Sequence, residues 1–180
     1  VHLVGLSYGG MIAQYTAVAH PDRVASLSLM ATSRKFGLDG TQPAEWRAAR
    51  LAPLDEGQEP RDFAPRVMRA IAGPNISPEA LQEQIVAADR VPASGLRVSI
   101  DILITHDSRP LLGSITAPTV VLVGELDGET PVAYAQTLCD GIPDAVLHTI
   151  PGAGHLLNVE APIDVDRIVL EHVRTVEAAR

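Results

Sequence analysis

Apolar positions in this chain cluster into short continuous runs and into helically spaced stretches, with turn residues between them. Val1 to Gly5 is a short, mostly apolar run, the character of a parallel-sheet strand buried on both faces. Tyr8 to Ala19 reads as a helix that stops at His20-Pro21, because proline lacks a donor and disfavours helix in the residue before it. Val24 to Ala31 (VASLSLMA) reads as a second strand. The opening residues therefore predict a β-α-β unit.

From Ser33 to about Pro110 the pattern changes in kind. No strong strand is present, and helical stretches fall at about Ala44–Leu51, Arg61–Ala72, Pro78–Asp89 and Ser94–Ile104, separated by Pro- and Gly-containing breaks. Ser77-Pro78-Glu79-Ala80 is a good helix start, with serine as N-cap and proline in the first turn. Helices inserted between strands in this way predict a lid over one edge of a sheet. Strand character returns at Thr119–Gly124 (TVVLVG), followed by a polar loop, a helix over about Pro131–Cys139, a strand at Val146–Ile150 and a helix over about Ile163–Ala178. The alternation predicts an α/β fold, a parallel, right-handed, doubly covered sheet. The expected organisation is a core segment at 1–32, a helical cap at 33–110 and a second core segment at 111–180.

Composition narrows the possible partners. With 180 residues and 46% hydrophobic content, the chain can bury one real core. A formal net charge of −8, with nothing more basic than Arg34-Lys35, argues against nucleic acid or an anionic membrane surface as partner, since binding phosphates takes clustered Lys and Arg. A single cysteine, Cys139, excludes an internal disulfide framework and fits a reducing, cytoplasmic compartment. It is expected to be a buried helix residue. No apolar run approaches the ~18 residues of a membrane span. No metal-ligand spacing and no phosphate-binding glycine loop is visible, so no cofactor is expected. The expected partner is a small molecule.

The chemistry-bearing motif lies where the first strand meets the first helix. Gly5-Leu6-Ser7-Tyr8-Gly9, followed by Gly10, is a G-x-S-x-G pentapeptide. In a nucleophile elbow of this kind the serine takes a strained conformation at the apex of a strand-to-helix turn. The flanking glycines, two residues either side, are expected to keep Cβ atoms out of the space where strand and helix nearly touch. The Ser7 hydroxyl is then left at a helix N-terminus, where amides and the helix dipole favour negative charge.

An activated serine needs a base, and the base an orienting carboxylate. In open α/β sheets such groups lie beyond the C-terminal ends of strands. Of the six histidines, His2 and His148 lie within strands, His20 ends a helix, His106 closes the helical segment and His172 sits in the last helix. Only His155, in Pro151-Gly152-Ala153-Gly154-His155, occupies a loop directly after a strand. For the carboxylate, Asp127 lies three residues beyond the TVVLVG strand, and Glu125 and Glu129 in the same loop are rivals that spacing alone does not separate. The candidate triad is Ser7, Asp127 and His155, in the chain order of the α/β-hydrolases.

These residues and their surroundings resemble the α/β-hydrolase superfamily, from that fold's fifth strand to its C-terminus. The resemblance is carried by Gly5-Leu6-Ser7-Tyr8-Gly9-Gly10-Met11-Ile12-Ala13, His20-Pro21-Asp22-Arg23-Val24, Asp107-Ser108-Arg109-Pro110-Leu111, Ala117-Pro118-Thr119 with Gly124-Glu125-Leu126-Asp127, and Gly152-Ala153-Gly154-His155-Leu156-Leu157-Asn158-Val159-Glu160. Within the superfamily the chain is most similar to the enol-lactonase-like branch, named for 3-oxoadipate enol-lactonase; esterases and cofactor-free haloperoxidases share much of the same pattern.

The resemblance implies an α/β-hydrolase fold and hydrolysis of a small carboxylic ester or (enol-)lactone through an acyl-enzyme. His155 would take the Ser7 proton, Asp127 would hold the imidazole, and the Tyr8 backbone N–H would supply one oxyanion-hole donor. Carbon–carbon bond hydrolysis of ring-cleavage products uses the same triad and is the alternative, alongside a haloperoxidase- or perhydrolase-like esterase. Ser7 disfavours the dehalogenase and epoxide hydrolase relatives, which have aspartate at the elbow, and a binding protein that kept the fold would normally lose a triad member. The family more often has methionine after the serine, so Tyr8 is expected to alter the pocket. Trp46, Met68 and lid leucines are candidates to line an acyl pocket or to pack the lid core. Asn158 and Glu160 are expected to shape the turn after His155, and Asp107 and Arg109 to link the lid's root.

The chain starts without methionine, inside a strand. It is read as the C-terminal part of a longer enzyme, with the second oxyanion donor outside it. The isolated 180 residues are expected to be unstable and inactive, with Val1 to Val4 as an exposed apolar edge.

Overall fold

In the computed structural model, which describes residues 1–180, four parallel strands lie side by side in chain order. They are β1 (His2–Leu6), β2 (Ser26–Met30), β3 (Thr119–Gly124) and β4 (Val146–Ile150). Helix α1 (Tyr8–Ala19) links β1 to β2, and α6 (Val132–Gly141) links β3 to β4. Between β2 and β3 the chain makes a long excursion through α2 (Pro43–Asp55), α3 (Pro60–Ile71), α4 (Pro78–Asp89) and α5 (Ala93–Leu103). The one-turn α7 (Leu157–Glu160) and the long α8 (Pro162–Ala178) follow β4.

The register sets the site. Leu6 lies opposite Met30, Met30 opposite Leu122, and Gly124 opposite Ile150. The residues that follow β1, β3 and β4 therefore leave the sheet along one edge, its C-terminal one.

Every residue of β2 and β3 is buried; β3 reads as a continuous apolar run after Thr119, as a strand covered on both faces does, whereas β2 alternates Ser26 and Ser28 with Leu27 and Leu29 although both its faces are covered. Leu27, Leu29, Val121 and Val123 pack with Ala13 and Ala17 of α1 and Ala135 and Leu138 of α6. On the opposite face Met30, Val120, Leu122 and Ile150 meet Val165 and Ile168 of α8.

Strand β1 is exposed along one edge, as expected for Val1 to Val4 and unlike the burial on both faces that its apolar run alone suggests: Val4 is 50% exposed and Val1, just before the strand, 70%. The cause is topological. β1 stands at the end of the strand order, and α8 reaches it through Glu177, whose carboxylate lies 3.1 Å from His2 Nε2, while its apolar face packs against the neighbouring strands. Cys139, expected to be buried, is only partly so, lying where α6 gives way to the loop before β4 with its thiol 3.1 Å from the Ala145 carbonyl. Burial and the Asp140 charge raise that thiol's pKa. Helix α2 runs beyond its expected end near Leu51, through Pro53, to Asp55. Helix α7 and a single 3₁₀ turn at Leu112–Ser114 are too short to show periodicity in sequence. No helix is long and apolar enough to cross a membrane.

The excursion has a small core of its own, Leu51, Leu54, Phe63 and Ile100. At its root, Lys35 and Asp107 form an antiparallel bridge. The Ser108 N–H donates to the Arg34 carbonyl at 2.8 Å and the Phe36 N–H to the His106 carbonyl at 3.0 Å. Asp107 accepts two bonds from the Arg109 guanidinium, at 2.8 and 2.6 Å, which holds its carboxyl down to about 2. Buried Gln14 of α1 donates to the Ser33 carbonyl at 3.1 Å and accepts from the Ser108 hydroxyl at 2.6 Å, so both arms of the root are tied to α1.

Candidate active site

Ser7 sits between β1 and α1 with φ 51° and ψ −117°, a backbone conformation rare for a side-chain-bearing residue. The neighbours over-determine it. The Ser7 N–H donates to the Met30 carbonyl at 2.8 Å, and its own carbonyl accepts from Gly10 N–H (2.9 Å), Met11 N–H (3.2 Å) and the Thr32 hydroxyl (2.8 Å). A Cβ on Gly5 would stand 2.5 Å from the Gly9 carbonyl oxygen. The expectation for the second flanking glycine is corrected: a Cβ on Gly9 meets nothing within 4 Å, whereas one on Gly10 would lie 2.7 Å from the Thr32 methyl. Beside the approach of Gly5 to the α1 backbone, the second close approach is between α1 and Thr32, two residues beyond β2, and it falls on Gly10, one position further along than the motif suggests.

His155 enters from the loop after β4. Its Nε2 lies 2.9 Å from Ser7 Oγ, and its Nδ1 3.0 and 3.1 Å from the two oxygens of Asp127. The Asp127 side chain is fully buried and that of His155 nearly so, at 0% and 8% exposure. Asp127 Oδ1 also accepts from the Glu129 and Thr130 N–H groups (2.9 and 2.8 Å), and Oδ2 from the Thr130 hydroxyl (2.8 Å). Burial pushes the Asp127 pKa up, but the bond to His155, its charge and the Thr130 donors outweigh this and hold it below the ordinary carboxylate value. An ionised Asp127 calls for the proton of His155 on Nδ1, leaving a lone pair on Nε2 facing the serine hydroxyl.

The rivals for the acid are engaged elsewhere. Glu125 accepts from the Gly152 N–H at 2.9 Å, and Glu129 lies 3.6 Å from Arg50. Thr130 escaped the sequence reading. The signal available for it was the Asp-x-x-Thr spacing in a loop after a strand, where an aspartate accepts from backbone N–H groups two and three residues on. The other histidines lie apart: His106 is buried with Nε2 2.9 Å from the Ser33 carbonyl, its pKa lowered by burial, and His172 lies 3.1 Å from the Pro118 carbonyl.

A cleft of about 260 Å³ opens over Ser7 and His155, lined chiefly by polar side chains, among them Lys35, Arg50, Glu129 and Tyr134. Trp46 reaches it, as does Leu103, while Met68 does not. Trp46 packs edge-on against Phe36 with ring centroids 5.1 Å apart, and carries the Arg50 guanidinium 5.0 Å from its ring centroid. The Tyr8 side chain lines a neighbouring groove with Ile12 and Tyr15 and not this cleft, because positions 8, 12 and 15 share one face of α1. The Tyr8 N–H stands at the first helical position, where no helical carbonyl is available to it, directly beside the Ser7 hydroxyl's residue. No three His, Cys, Asp or Glu side chains are grouped to hold a metal ion.

Residues 1–167 match the alpha/beta hydrolase family. The pimeloyl-[acyl-carrier protein] methyl ester esterase of Chromobacterium violaceum is 32% identical over 179 residues, covering 96% of this chain and 70% of that protein. The 3-oxoadipate enol-lactonase 2 of Acinetobacter baylyi is 29% identical over 161 residues, covering 88% of this chain and 58% of that protein. Among solved structures, the malate-bound thermophilic esterase from Thermogutta terrifontis superposes with a TM-score of 0.83 at 28% identity, over 98% of this chain and 65% of that one. The chain thus spans between 58% and 70% of the length of these three proteins.

Proposed function

The chain belongs to the alpha/beta hydrolase family, and from that premise we propose that it is a serine hydrolase cleaving a small carboxylic ester or lactone through an acyl-enzyme. The observation that carries this reading is the unbroken hydrogen-bonded series from Ser7 Oγ through His155 to buried Asp127. In it His155 Nε2 takes the hydroxyl proton as Ser7 Oγ attacks the carbonyl carbon, and returns it to the departing alkoxide. Asp127 holds the imidazole and stabilises the imidazolium that forms. The Tyr8 N–H, at the N-terminus of α1, donates to the oxyanion. Water then releases the acyl group, with His155 again as base.

Support for the substrate class comes from two directions. The esterase and enol-lactonase relatives act on ester bonds, and the cleft is small and polar, better matched to a short or polar acyl group than to a long alkyl chain. The test is turnover of p-nitrophenyl acetate and butyrate by the purified full-length protein and its Ser7→Ala variant. We expect kcat to fall by about 10⁶. Turnover that persists unchanged in Ser7→Ala would overturn the reading.

A further inference from the structure

His155 sits in a loop held by groups that take no part in the proposed reaction. Three consecutive amides, those of Gly154, His155 and Leu156, each have a partner. The Gly154 N–H donates to Glu160 Oε2 at 2.6 Å, and the Leu156 N–H to Glu160 Oε1 at 3.0 Å. One carboxylate thus grips the backbone on both sides of the histidine. The His155 N–H between them donates to the carbonyl of Ile71, at the C-terminus of α3, at 3.2 Å.

The turn that follows α3 rests on the same spot. A Cβ on Gly73 would stand 2.5 Å from the Gly154 nitrogen and collide with the Glu160 carboxylate. The Asn75 side-chain amide donates to the Gly152 carbonyl at 2.9 Å. The α3–α4 turn and the histidine loop therefore meet backbone to backbone, and the meeting requires a residue without a side chain at position 73.

We propose that Gly73 and Glu160 are positioning residues that set the place of the His155 imidazole, so that seating of the α3–α4 turn and competence of the base are a single event. The proposal rests on the serine-hydrolase reading above. The imidazole must meet Ser7 at one end and Asp127 at the other, so a backbone shift at His155 loosens both contacts together. A misplacement of about 1 Å at a reacting group is enough to lose about 100-fold in rate. Glu160 suits the task because a carboxylate offers two acceptor oxygens to two N–H donors. A glutamine in its place keeps one acceptor and turns an NH₂ group toward an N–H. An alanine at 73 puts a methyl where backbone and carboxylate already are, and the turn must part from the loop.

The test uses the purified full-length protein with Gly73→Ala and Glu160→Gln, and with Gly113→Ala as control, since a Cβ on Gly113 meets nothing within 4 Å. Two quantities are read: kcat and KM for a p-nitrophenyl ester, and the low-field proton resonance of the His155 Nδ1–H bond to Asp127. We expect Gly73→Ala and Glu160→Gln to lower kcat by about 10- to 100-fold with KM changed by less than about threefold, and to shift or broaden the resonance. Gly113→Ala should leave both readings as in the parent. An unchanged kcat in both variants overturns the proposal, and so does a lower kcat with the resonance unmoved, because the base would then still be in place. If Gly73→Ala does not fold, Glu160→Gln decides alone. Failure of the underlying reading shows differently, as turnover that survives Ser7→Ala while the resonance still reports the seat of His155.

Discussion

At the scale of residues, the site depends on which atom carries which proton. Asp127 is buried and fully hydrogen-bonded, with its carboxyl held below the ordinary value, and in the proposed mechanism it keeps the His155 proton on Nδ1. Asp127→Asn keeps the shape but offers an N–H where an acceptor is needed, and kcat should fall by about 10⁴, measured by steady-state turnover. The same carboxylate ties stability to pH. Its folded-state pKa lies below the unfolded value, so its contribution is present above about pH 4 and is lost as pH falls through the lower, folded value. Urea unfolding between pH 6 and 3 should show a shallower acid loss in Asp127→Asn than in the parent protein. Ser7 and His155 were legible in the sequence because each stands alone in its context, a strand-to-helix elbow and a glycine-rich loop after a strand. Asp127 was legible only as one of three acids, since the facts that single it out are side-chain contacts across the loop.

At the scale of elements, the elbow shows where a motif and its physical demand part company. Gly9 belongs to the pentapeptide yet faces open space, while Gly10 packs on Thr32. Gly9→Ala should therefore be neutral or raise stability by up to about 1 kcal/mol, since alanine is the better helix former. Gly10→Ala should lower the melting temperature, because its methyl must displace the Thr32 side chain that bonds the Ser7 carbonyl. Equal melting temperatures for the two variants would contradict this account. The helices and inner strands were legible from periodicity and from Pro and Gly breaks. The apolar run of β1 alone reads as buried on both faces, and its exposed edge was legible only from the resemblance to the wider fold, because a strand's rank in the sheet is settled by neighbours distant in sequence.

At the scale of the whole molecule, the helical excursion touches every part of the site. Its root is bonded to α1 through Gln14, Arg50 of α2 stands 3.6 Å from Glu129 in the loop of Asp127, and α3 accepts the His155 N–H. Gln14→Leu fits the space but loses the bonds to the Ser33 carbonyl and the Ser108 hydroxyl, leaving the Ser33 carbonyl to His106 alone, and at about 0.5–1.5 kcal/mol for each bond should cost about 1–3 kcal/mol in urea unfolding. None of this tethering was visible in the sequence, where the excursion reads as helices of uncertain facing and Gln14 as one polar residue in a helix.

In the proposed mechanism Ser7, activated by His155, is the nucleophile. The most direct test is labelling with a fluorophosphonate, followed by peptide mapping of the adduct. A single adduct on Ser7 is expected, formed rapidly in the parent protein and nearly abolished in His155→Ala. Label on another residue, or Ser7 label that forms equally fast without His155, would contradict it.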